Sequence, residues 1–146
     1  MDDQLKWDLR WLRLCKEVAT WSKDPLTQVG SWIVRGKNES ISFGYNGFPK
    51  NMWDDPQRYA DREDKHSRVI HAEMNAAHFA KESIEGCTLY STLMPCDRCF
   101  VHLMQKGIKR CVYLKTEERP WFEIVREYAK EANIEMVELD IDINSL

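Results

Sequence analysis

A chain of 146 residues is long enough to bury a core without disulfide or metal staples, and a net charge of −3 is the wrong balance for a protein that binds a nucleic-acid backbone. Charged residues interrupt every apolar run well before the length of a membrane span, and the acidic start Asp2-Asp3 lacks the basic-then-apolar pattern of a secretion signal. The expectation is one domain covering residues 1–146, off the membrane, without a nucleic-acid partner and in the compartment of its synthesis, the cytoplasm.

Leu5, Leu9, Leu12, Leu14, Val18 and Trp21 recur near helical spacing and predict a helix from Gln4 to Trp21. Ser22-Lys23-Asp24-Pro25 ends it, because proline disfavours helix at the residue before it. Val29 to Arg35 and Ser40 to Tyr45 predict two strands of a hairpin, joined at Gly36-Lys37-Asn38. From Asn46 to about Ser67 the chain is polar and contains proline, so a long loop is predicted, and loops of that length often serve function. Val69 to Lys81 is nearly all apolar and predicts a buried helix. Thr88 to Thr92 predicts a short strand. Pro95 opens a helix running to Lys106, closed by Gly107. Arg110 to Leu114 predicts a strand, Pro120 to Glu131 a helix and Ile134 to Leu139 a last strand. Helix and strand alternate after the hairpin, which predicts a layered α/β domain with a largely parallel half-sheet.

Five cysteines are an odd number, and two of them, Cys96 and Cys99, form a Cys-x-x-Cys. In an unsecreted chain that pattern points to metal or redox chemistry rather than a disulfide framework. The two thiols share one face at the start of a predicted helix, where the backbone dipole favours thiolates. His71-Ala72-Glu73 opens the preceding predicted helix. Three ligands, His71, Cys96 and Cys99, leave zinc's fourth position open, and Glu73 is at hand to move protons. Residues two apart diverge on a regular helix, so His71 must sit at the helix boundary for both to face inward. A redox pair and half of a structural zinc knuckle are the competing readings. The first lacks a thioredoxin-like context, and the second lacks a fourth ligand close in sequence. His102 reads as an ordinary helix residue. His-x-Glu on one helix, followed after a strand by Pro-Cys-x-x-Cys on the next, is the signature of zinc deaminases that act on nucleobases.

His71-Ala72-Glu73-Met74-Asn75-Ala76 with Met94-Pro95-Cys96-Asp97-Arg98-Cys99 resembles the cytidine and deoxycytidylate deaminase superfamily. Ser22 to Gly30 and Gly44-Tyr45-Asn46-Gly47-Phe48-Pro49 look like the deoxycytidylate (dCMP) deaminases in particular. The short length and compact loops resemble phage-encoded members. The resemblance runs from about Trp11 to Val137. It implies a three-layer α-β-α cytidine-deaminase-like fold with a five-stranded mixed sheet. It implies one catalytic Zn²⁺ per chain and hydrolysis of dCMP, and for some relatives dCTP, which supplies dUMP for thymidylate synthesis.

By the same resemblance Asn46 bonds the deoxyribose, the backbone at Ala72 and Glu73 reads the cytosine edge, and Ser22, Lys23 and Thr27 flank the sugar-phosphate end. Taken alone, Asn46 beside glycine reads as a turn residue. Arg119 is a candidate phosphate ligand, because the family's tyrosine-bearing loop is replaced here by Lys115 to Trp121. Cys15, Cys87 and Cys111 read as core residues rather than a second zinc site. Many members are homohexamers activated by dCTP and inhibited by dTTP. This implies an effector site at Gly44, Tyr45, Asn46, Gly47, Phe48, Pro49 and Lys50, with Asp54 and Asp55 placed to hold Mg²⁺ beside a triphosphate. A nucleic-acid base deaminase and a non-enzymatic zinc domain are the alternatives. The first requires a basic groove with stacking aromatics, whereas Trp7, Trp11, Trp21 and Trp32 fall in predicted regular elements.

Overall fold

Residues 2–146 are described by the computed structural model. Helix α1 (Asp3–Ala19) is started by Asp2, whose carboxylate accepts from the Gln4 N–H, and it buries Trp11, Leu12, Cys15 and Val18 along one face. Strands β1 (Gly30–Arg35) and β2 (Glu39–Tyr45) form the predicted antiparallel hairpin. β1 also pairs antiparallel with β3 (Thr88–Ser91). β3, β4 (Arg110–Leu114) and β5 (Glu135–Leu139) run parallel, giving a five-stranded sheet in the order β2-β1-β3-β4-β5. Helices α4 (Asp97–Gln105) and α5 (Phe122–Glu131) make the crossovers that parallel pairing requires.

Alternation along the strands separates two cores. Ile33, Leu89, Cys111 and Tyr113 face Ala76, Phe100, Leu103, Phe122 and Val125 of the helices on one side. Their neighbours Val34, Tyr90, Val112 and Leu114 face Trp11, Leu12 and Cys15 of α1 on the other. The three-layer α-β-α arrangement and its mixed sheet are those expected. Cys15, Cys87 and Cys111 are fully buried. Trp7, Trp11 and Trp32 pack in succession beside Tyr90, whereas Trp21 is half exposed against Phe43 and Tyr45.

Four local expectations are corrected. The segment expected as loop from Asn46 to Ser67 contains a 3-10 turn (Pro56–Ala60) and a helix, α2 (Arg62–Arg68). α2 buries no residue, so it has no apolar stripe for a periodicity argument to find. The helix expected from Val69 is α3, and it spans only Ala72–Phe79. Val69 is extended, and Ile70 bridges to Gly47 through two backbone hydrogen bonds of 3.1 and 2.7 Å. α3 buries one face, Ala72, Glu73, Ala76 and Ala77, rather than its whole surface. Pro95 lies outside α4, because Cys96 is extended and caps the helix.

Candidate metal centre and substrate cavity

Two helix N-termini meet at one point. His71 is the extended cap of α3 and Cys96 the extended cap of α4, so both side chains leave the backbone ahead of the first helical turn. His71 Nδ1 lies 3.5 Å from Cys96 Sγ and 3.3 Å from Cys99 Sγ. Zinc bonds of about 2.3 Å to sulfur and 2.0–2.1 Å to nitrogen give a tetrahedral edge of about 3.5 Å, so these three donors already stand at ligand spacing. The potential ligand atoms of His71, Glu73, Cys96 and Cys99 all lie within 4.8 Å of one another. Two thiolates and a neutral imidazole make a chemically apt, charge-balancing set for Zn²⁺.

The electrostatics favour a thiolate at Cys96 and a proton-holding carboxyl at Glu73. The Cys96 thiol is pulled down to about 4, first by the hydrogen bond from Cys99 and then, against burial, by His71. The Cys99 thiol is pushed up by that neighbour and by burial. Contact with Cys96 raises the His71 imidazole. The Glu73 side chain is 4 % exposed, and burial pushes its carboxyl above the usual carboxylate range. A carboxyl raised in this way holds a proton more readily than an exposed one, which suits a group that must take up a proton and pass it on.

The centre lies at a cavity of about 290 Å³ whose wall includes Thr27, Asn46, Ala72, Glu73, Cys96 and Arg119. Asn46 is almost wholly buried. Its Oδ1 accepts from the Val29 N–H at 2.9 Å, and its Nδ2 donates to the Thr27 carbonyl at 2.8 Å. Arg119 has no carboxylate partner among the described residues, and its guanidinium lies 5.7 Å from the Trp121 ring.

The family described as Cytidine and deoxycytidylate deaminase zinc-binding region matches residues 5–115, a span that includes His71, Glu73, Cys96 and Cys99. The chain belongs to this family. It is 37% identical over 145 residues to an uncharacterised deaminase of Aliivibrio fischeri, across 94% of this chain and 97% of that protein. It is 35% identical over 119 residues to the human deoxycytidylate deaminase, across 77% of this chain and 67% of that protein. The crystal structure of the dCMP deaminase of cyanophage S-TIM5 with dCMP and dUMP shares the fold, with a TM-score of 0.78, 21% identity and coverage of 95% of this chain and 99% of that one.

Not every residue singled out for this deaminase's substrate reaches the cavity. Ser22 is buried behind the wall, where its hydroxyl donates to the Asn46 carbonyl at 2.9 Å. Lys23 is turned away from the cavity and pairs with Asp54 at 2.9 Å. Asp55 caps the 3-10 turn by accepting from the Gln57 N–H. The two acids expected to flank Mg²⁺ therefore each have other partners. Tyr45, Gly47, Phe48, Pro49 and Lys50 border a second groove of about 670 Å³, shared with Lys23, His78 and Lys81. Gly44 does not face that groove, because it packs against α3.

The cavity wall also holds Asp24, Lys65, His66 and Trp121, which the sequence did not single out. Trp121 was legible as the aromatic that follows Arg119-Pro120. Its indole N–H donates to the Met94 carbonyl at 3.4 Å, next to the cysteine motif. No local signal marks Lys65, which is one charge among many on a polar helix.

Proposed function

We propose that this family member hydrolyses dCMP to dUMP and ammonia. The observation that carries the reading is the convergence of His71, Cys96, Cys99 and Glu73 at a cavity large enough for a pyrimidine nucleotide and walled by Asn46 and Arg119. Human and cyanophage proteins named for this activity support it. Zinc held by His71, Cys96 and Cys99 supplies Lewis acidity that lowers the pKa of the attacking water. Glu73 takes that water's proton and delivers protons to N3 and to the leaving amino group, so water and cytosine become uracil and ammonia. The backbone at Ala72 and Glu73 faces the base edge, Asn46 the sugar, and Arg119 the phosphate.

The same reading includes dCTP as a second substrate, supply of dUMP to thymidylate synthesis, and a homohexamer controlled by dCTP and dTTP. The groove beside Tyr45 to Lys50 supports control, since Lys23, Lys50, His78 and Lys81 suit a triphosphate, with or without Mg²⁺. Exposed Trp21, Phe43, Tyr45 and Phe79 offer apolar surface for assembly. Ammonia release measured on deoxycytidine, dCMP, dCTP and CMP tests the chemistry. Titrations of dCMP with each triphosphate, together with sedimentation, test control and assembly. Turnover confined to oligonucleotides, or none at all, overturns the reading.

A further inference from the structure

Asp24 is fully buried, yet it forms part of the cavity wall. One carboxylate oxygen accepts from the backbone N–H groups of Leu26 and Thr27, at 2.9 and 3.2 Å. The other lies 2.7 Å from Lys65 Nζ, on a side chain that is itself only 13% exposed. Lys65 belongs to α2, which buries no apolar face of its own. This ion pair ties α2 to the 24–29 loop across the cavity.

The chain of contacts continues to Asn46. The Thr27 carbonyl accepts from Asn46 Nδ2, and the Val29 N–H donates to Asn46 Oδ1. A carbonyl can only accept and an N–H can only donate, so the amide has one possible orientation. One N–H of Asn46 and one lone pair remain for a ligand. Their direction is set by the 24–29 loop, and that loop is held by Asp24. Without Lys65, the buried carboxylate of Asp24 loses its only charged partner among the described residues, a costly arrangement that the loop can relieve by moving toward water.

We propose that Lys65 is a positioning residue for sugar recognition. Through Asp24 and Thr27 it fixes Asn46 and so sets the preference between deoxyribose and ribose. The inference rests on the reading of this cavity as a nucleotide site.

The test is steady-state deamination of dCMP, CMP and deoxycytidine by wild type, Lys65→Met, Lys65→Arg, Asn46→Ala and the Lys65→Met/Asn46→Ala double variant, with Tm for each. Lys65→Met is expected to raise KM for dCMP about tenfold, to move kcat less, and to lower the dCMP-to-CMP ratio of kcat/KM about tenfold. Lys65→Arg should restore most of the ratio. In the Asn46→Ala background, Lys65→Met should change the ratio less than about twofold, because the two residues act on one contact. Three results overturn the inference while leaving the function standing: additive effects in the double variant, a lowered Tm with an unchanged ratio, or a defect that disappears with deoxycytidine and so marks a direct phosphate contact. Wild-type protein that releases ammonia from none of the three overturns the function, and the inference with it.

Discussion

His71 and Glu73 are two residues apart, and their side chains converge, with His71 Nδ1 3.8 Å from Glu73 Oε1. On an unbroken helix they would diverge by about 200°. The backbone resolves this by keeping His71 extended, at φ −69° and ψ 155°, with Glu73 already in the first turn of α3. The Gly47–Ile70 bridge immediately before His71 holds the extended stretch in place. The proposed metal ligand and the proposed proton carrier thus stand on different local structures, one on the extended cap and one in the first turn of α3.

Glu73→Gln keeps the shape and removes the exchangeable proton. It should retain zinc and lose at least about 10²-fold in kcat, the usual contribution of a positioned acid or base. Metal content by elemental analysis and turnover by ammonia release check the two halves separately. A variant that keeps both zinc and near-normal turnover would remove Glu73 from the chemistry.

Cys96→Ala or Cys99→Ala should abolish zinc binding and lower thermal stability, since metal binding adds to folding free energy. Elemental analysis of the unaltered protein should give about one zinc per chain, the count that a single three-ligand site predicts. Finding two per chain would show that Cys15, Cys87 or Cys111, all fully buried here, do more than pack.

The strands and the long amphipathic helices were legible because their apolar residues repeat at the period of one buried face, as in Leu12, Cys15 and Val18 of α1. The zinc motif was legible because its residues lie close together in sequence. The start of α3 was not. Val69 and Ile70 continue the apolar run of Ala72 and Ala76, and only the pairing of Ile70 with distant Gly47 makes them extended. Helix α2 was missed because its signals are polar: Asp61 at the cap and Glu63 and Asp64 in the first turn. Lys65 was missed because its partner Asp24 belongs to a separate loop.

Gly44 is set by steric contact. A Cβ there would stand 2.5 Å from Ala76 N and 2.6 Å from Ala72 O, both backbone atoms of α3. Gly44→Ala should push α3 away from β2 and cost about 1–3 kcal/mol, as overpacking does. Because α3 carries Glu73, kcat should fall as well. Gly47→Ala is the control, since the nearest atom to its Cβ is Tyr59 Oη at 3.8 Å. Chemical denaturation and turnover of the two variants check this. Equal tolerance at both positions would contradict it.

Asp8 governs an acid limb of stability. Its carboxylate is buried and accepts hydrogen bonds from Tyr90 at 2.6 Å, Gln4 at 3.0 Å and both terminal nitrogens of Arg110 at 2.8 Å. Burial alone would raise its pKa, but Arg110, Tyr90 and Gln4 outweigh burial and hold it below the ordinary 3.8. The folded pKa is depressed, so the stabilisation is present above about pH 4 and is lost as pH falls through the folded value. Arg110→Met leaves the buried carboxylate without its cation and should cost about 3 kcal/mol at neutral pH, the lower end for breaking a buried pair. Burial then pushes Asp8 upward, so acid, which neutralises the stranded charge, should narrow the gap. Urea denaturation of both proteins from pH 7 to pH 3 should show the stability difference shrinking on the acid side. A difference that stays constant across that range would mean that Asp8 is not the titrating group.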